Sequence, residues 1–136
     1  MTVTNPDALM AQASDLVTKA LPSVFAIYVF GSRASGQQTP ESDLDLAILG
    51  GEPVAPARLY DIARGLEVEL DTDIDLIDLL AASTVLKTEV IANGRLILCV
   101  DRGATLDFEA RSLSEYGRYR EGIEPLLEAV RETGQA

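Results

Sequence analysis

Histidine is absent from this 136-residue chain, and so is tryptophan. Without histidine there is no imidazole to act as general acid or base near neutral pH, and none to ligate zinc. A bound metal must therefore be held by oxygen, which favours Mg²⁺ or Mn²⁺. The single cysteine, Cys99, excludes an internal disulfide, and its place in Leu96-Ile97-Leu98-Cys99-Val100 predicts a buried small hydrophobe. Positive charge is scarce too: 11 basic residues face 22 acidic ones, for a net charge of −11. Such a surface repels phosphate backbones, so direct binding of nucleic acid is not expected. A basic protein, or a triphosphate screened by cations, suits it better. No apolar run approaches the ~20 residues of a membrane span, and the opening residues lack the basic-then-apolar layout of a signal peptide. The expected address is cytoplasmic. What is present, 47% hydrophobic and 24% charged residues, suits one globular domain over residues 1–136.

Along the chain, Asn5-Pro6-Asp7 reads as a helix start, and Leu9, Ala13, Leu16, Val17, Ala20 and Leu21 recur at helical spacing up to Pro22. Val24 to Phe30 is a strand apolar enough to be buried on both sides. Gly31 to Gln38 predicts a short helix or turn, and Asp43 to Leu49 a second strand closed by Gly50-Gly51. A helix is expected over Pro56–Leu70 and a third strand over Asp73–Leu79. Ser83 is expected to cap a helix to Asn93, with Gly94 as its C′ residue. Arg95 to Val100 is a fourth strand. In the tail from about Ala104, Gly117, Gly122 and Pro125 predict two helical pieces or a kink. Strands alternating with helices argue for one mixed sheet covered by helices on one face.

The chemistry concentrates between Gly31 and Asp75. Gly31 lets backbone approach a phosphate closely, Ser32 offers a hydroxyl and an amide, and Arg33 a cation. Asp43 and Asp45 stand two apart on a strand and so share a face. Paired bare carboxylates repel there, and a divalent cation reverses the sign of that interaction. The third strand offers Asp73, Asp75 and Asp78. Asp75, set between apolar neighbours, is the preferred third acid and Asp73 the second choice, because a mid-strand charge is costly without a cation. Asp71 and Asp78 read as surface charges at strand ends, and Lys87 as an exposed helix charge.

Gly31-Ser32, ten residues, Asp43-Leu44-Asp45, and later Asp75 within Ile74-Asp75-Leu76-Ile77-Asp78-Leu79 resemble the DNA polymerase β-like nucleotidyltransferase superfamily. The chain is most similar to its minimal nucleotidyltransferases, antitoxins paired with HEPN-domain ribonuclease toxins. The likeness covers about Val24 to Leu80, with Asn93 to Leu98 and Phe108 to Tyr116 also similar. It implies an α/β (α+β) fold, a single small mixed sheet flanked by helices, with a catalytic core over about residues 24–80 and a helix-rich tail over about 104–133. It further implies Gly31, Ser32 and Arg33 on the nucleotide, Asp43 and Asp45 as Mg²⁺ ligands, and Asp75 as third ligand or base. ATP is the implied substrate and two Mg²⁺ ions the implied cofactors. The implied acceptor is a tyrosine hydroxyl of the partner toxin, whose modification silences it. Ser35 departs from the pattern, since many relatives carry a basic residue there.

Two other functions compete. The acidic chain could neutralise a basic ribonuclease by binding alone, or it could adenylylate a small molecule, as aminoglycoside-modifying relatives do. The latter usually carry an additional helical substrate domain.

Overall fold

The structure, a computed structural model, describes residues 6–31 and 43–133. In chain order it runs α1 (Pro6–Ala20), β1 (Val24–Phe30), β2 (Leu44–Gly50), α2 (Pro56–Leu70), β3 (Ile74–Asp78), α3 (Thr84–Asn93), β4 (Arg95–Cys99) and α4 (Arg102–Glu132). The strands form one sheet in the order β3-β2-β1-β4. β1 pairs antiparallel with β2 and β4, whereas β2 and β3 run parallel. A parallel pair needs a crossover, and α2 supplies it.

Helices cover both faces of the sheet, not one. The reason is visible in β1 and β2, which are apolar on both sides. Ile27, Val29, Leu44, Leu46 and Ile48 pack with Val17 of α1 and Leu66 of α2. Ala26, Tyr28, Ala47 and Leu49 pack on the opposite face with Val90 of α3 and Phe108 of α4. Alternation along a strand sends successive side chains to opposite layers, so an unbroken apolar run demands two covers.

Local signals set several ends. Pro56 opens α2, and its C-terminus turns at Asp71, which adopts a left-handed backbone with φ 50°. Ser83 caps α3 by accepting a hydrogen bond from the Leu86 amide at 3.1 Å. Gly94 does not terminate α3 in the left-handed region, since its φ is −79°. Glycine is needed there for space: a Cβ would collide with the Val90 carbonyl oxygen.

Four other expectations are corrected. The tail does not break at its glycines or at Pro125, and α4 is one helix of 31 residues. Pro125 removes one i→i−4 bond on an exposed stretch, where water can serve the released carbonyl. Cys99 is exposed, because β4 is an edge strand of the sheet. Lys87 lies against the Phe108 ring and reaches Glu115 at 3.7 Å, its side chain only 16% exposed. Asp78 is buried, and its carboxylate accepts the Val54 amide at 2.9 Å and the Leu80 amide at 3.0 Å. It clasps the segments on either side of the β2–α2–β3 crossover.

A polar contact crosses the second core. The buried Tyr28 hydroxyl donates to Glu109 of α4 at 2.5 Å. Burial and the adjoining carboxylate both push the Tyr28 phenol well above its ordinary range.

Candidate active site

The acids stand where the second core ends. On β2, Ala47 and Leu49 point into that core, and Asp45 continues their row one step toward the strand's start. Register sets Asp45 directly beside Asp75 of β3 and opposite Phe30 of β1. Neighbouring strands lie about 4.8 Å apart, so the two carboxylates are side by side on one face. Asp43, exposed, precedes β2 by one residue, and Asp73 precedes β3 likewise. The Leu44 amide bonds the Asp73 carbonyl at 2.8 Å, which keeps the two strand starts level.

Gly31 closes β1 at the same end with φ +71°, a conformation that disfavours any residue with a Cβ. A Cβ there would run into Asp45 Oδ2. Backbone and carboxylate are therefore packed against each other without side-chain bulk, as an anion cradle beside a cation site requires. Ser32 and Arg33, the other two residues expected on the nucleotide, lie outside the described residues. Among the described residues no three acidic, histidine or cysteine side chains converge closely enough to cage a metal. The structure thus brings Asp45 and Asp75 together beside Gly31 and leaves Asp43 on the rim. The donor set is oxygen only, which fits Mg²⁺.

Sequence reasoning did not single out the neighbourhood of Asp75 on the α2 side. A groove of about 280 Å³ runs there, lined among others by Leu59, Tyr60, Ala63, Arg64, Asp75 and Leu76. Arg64 sits over the Tyr60 ring, 4.9 Å from its centroid. Glu67 fixes that guanidinium at 2.8 Å and accepts the Ile74 amide at 2.8 Å, while Arg64 donates to the Ile74 carbonyl at 3.3 Å. The Arg64–Glu67 spacing marks a helix-face pair in the sequence, but nothing there says that it grips β3. A larger cleft of about 580 Å³ lies between α1 and β4, at the opposite edge of the sheet from Asp75.

The profile of the family described as "Polymerase beta, Nucleotidyltransferase" matches residues 14–103. The chain belongs to that family. Among its nucleotidyltransferase relatives is the protein adenylyltransferase MntA of Shewanella oneidensis, 30% identical over 115 residues, which are 85% of this chain and 82% of MntA. A crystal structure of a toxin–antitoxin with AMP-PNP superposes with a TM-score of 0.82 at 28% identity, covering 90% of this chain and 98% of that one. A tri-AMPylated Shewanella oneidensis HEPN toxin in complex with MNT antitoxin gives a TM-score of 0.80 at 24% identity. That alignment covers 93% of this nucleotidyltransferase and 99% of the other chain, and it bears on the fold. No described helix is long and apolar enough to cross a membrane.

Proposed function

We propose that this chain is an antitoxin that transfers AMP from ATP to a tyrosine hydroxyl of a cognate HEPN ribonuclease toxin, and so neutralises it. The observation that carries the reading is the side-by-side register of Asp45 and Asp75 next to the left-handed turn at Gly31. The relatives named above supply the nucleotide and the partner: one is called a protein adenylyltransferase, another was crystallised with AMP-PNP.

In the reaction the acceptor oxygen bonds to the α-phosphorus while the bond from that phosphorus to the α–β bridging oxygen breaks. AMP stays on the acceptor, and pyrophosphate leaves. Asp43, Asp45 and Asp75 would hold Mg²⁺, two ions in our reading, which when bound neutralises the phosphates and lowers the acceptor's pKa. Asp45 and Asp75 fix the reacting centre on the rigid sheet, and the left-handed turn at Gly31 lets the triphosphate approach the backbone closely. Asp75, nearest the open edge, takes the acceptor's proton or joins the metal ligands. Catalysis by position and charge neutralisation needs no histidine.

The test is to incubate the chain with α-labelled ATP, Mg²⁺ and purified toxin. Label on the toxin that disappears with Asp45→Asn is the expected result, with a rate loss of at least about 100-fold, as for removal of a group that stabilises the transition state. Neutralisation of the toxin by Asp45→Asn without label would instead establish the binding-only antitoxin. Label appearing on an aminoglycoside in place of the toxin would establish the small-molecule enzyme.

A further inference from the structure

We infer that the apolar stripe on the distal half of α4 docks an amphipathic helix of the toxin and so holds the acceptor at the carboxylate end of the sheet. This docking presupposes the proposed AMP transfer and names the surface that grips its second substrate.

Two contacts fix the course of α4. The Cys99 thiol donates to the Thr105 hydroxyl at 3.5 Å, and Cys99 stands opposite Ala26 of β1. One helical turn later Glu109 accepts from Tyr28, two positions further along β1. Four helical residues advance about 6 Å and two strand residues about 7 Å, so α4 keeps pace with β1 as both head toward Gly31. Phe30, the next residue of β1 on this face, lies opposite Asp45. Ser112 is the last buried residue of α4. The helix therefore leaves the sheet at the level of the acids, on the face that Asp45 and Asp75 share with Leu49 and Leu79.

From there α4 runs on to Glu132, about 30 Å past Ser112. Its inward face does not turn polar on the way. Beyond Thr105, Phe108 and Ser112 the row continues through Tyr116, Tyr119, Ile123, Leu126 and Val130 in steps of three or four residues, with Leu127 beside it. The opposite side carries Arg118, Glu121 and Glu128. Tyr119, Leu126, Leu127 and Val130 are exposed, and among the described residues no distal member of the row joins either apolar cluster. A row with this spacing accepts a helix laid along it. Alone, the stretch is a poor helix, because Gly117, Gly122 and Pro125 lower its propensity and a single helix of this length is marginal in water. A partner seated on the stripe supplies the burial that the core does not.

Two occupants compete for such a stripe, the toxin and a second copy of this chain. Two copies would each bring a net charge of −11 and repel. A ribonuclease grips phosphate backbones and so presents basic surface, which complements this acidic chain. It is also the molecule whose hydroxyl must reach Asp45 and Asp75, and the stripe begins beside them.

Calorimetry of toxin binding to the full chain, with Mg²⁺ and without ATP, tests the docking. Leu127→Glu should raise the Kd for toxin at least about tenfold, as loss of one interface anchor does, while Ser114→Glu on the opposite side stays within about twofold. Both positions are exposed, so neither substitution should move the melting temperature by more than a few degrees. Unchanged binding by Leu127→Glu, or an equal loss in both variants, overturns the docking. In a second measurement a photo-crosslinking phenylalanine analogue replaces Leu127 in the full chain, and the toxin complex is irradiated. The crosslink is expected on the toxin; one between two copies of this chain, or none, overturns the docking. Neither readout needs turnover. A wild-type chain that binds toxin through the stripe yet transfers no AMP would sink the proposed reaction and leave the docking standing. Transfer to toxin that Leu127→Glu does not slow below the toxin KM would sink the docking and leave the reaction standing.

Discussion

At the scale of single residues, carboxylates of one type do opposite work three positions apart on β3. Asp75 is exposed at the open edge, whereas Asp78 is buried and bonded to two backbone amides. Asp78→Ala should strand both amides and cost about 2–3 kcal/mol of stability, the usual penalty for buried donors left unsatisfied. Chemical denaturation would show the lowered midpoint, while the rate of AMP transfer per folded molecule stays close to wild type. The shared face of Asp45 and Asp75 was legible because strand periodicity places a side chain from its parity alone. The role of Asp78 was not legible. Parity puts it on the inward face with Ile74 and Leu76, but the Val54 amide that makes burial tolerable lies 24 residues away in sequence. The groove at Tyr60 was hidden for a related reason, since only the packing of α2 on β3 creates it.

Between elements, the Tyr28–Glu109 hydrogen bond joins sheet and long helix beside the Phe108 packing. Its phenol is raised far above the ordinary tyrosine range by burial first and by Glu109 second. An acid whose folded pKa is raised contributes stability below its unfolded value, about 10 for tyrosine, and that contribution fades as pH climbs above it. Melting in an alkaline series should therefore fall more steeply above about pH 10 for wild type than for Tyr28→Phe. At neutral pH the same substitution should cost about 1–2 kcal/mol, because Glu109 loses its donor. Element bounds were readable where a residue punctuates the chain, as Pro56 and Ser83 do. They were misread where a breaker is outvoted. The i,i+4 pairs Asp107–Arg111, ahead of Gly117, and Arg120–Glu124, which spans Gly122, support α4.

For the whole molecule, the decisive feature is how unevenly α4 is used. Its buried residues are Thr105, Phe108 and Ser112, all in the first half. Leu126, Leu127 and Val130 in the second half are exposed. A chain ending after Arg118 should keep its cooperative melting transition within a few degrees of the full-length protein, since no core residue is removed. Circular dichroism on heating would check this. A drop of 10 °C or more would mean that the distal half does support the core. The two-layer cover was foreshadowed by the apolar run of β1. The reading of a single covered face underestimated what that run requires.

The acid row begins where the second apolar layer stops. Asp45 and Asp75 lie outside both hydrophobic clusters, so their side chains add no apolar burial to the fold. Chemistry and architecture are consequently separable in this molecule. On the proposed reaction, a descendant that lost these carboxylates would keep both apolar layers and forfeit transfer alone.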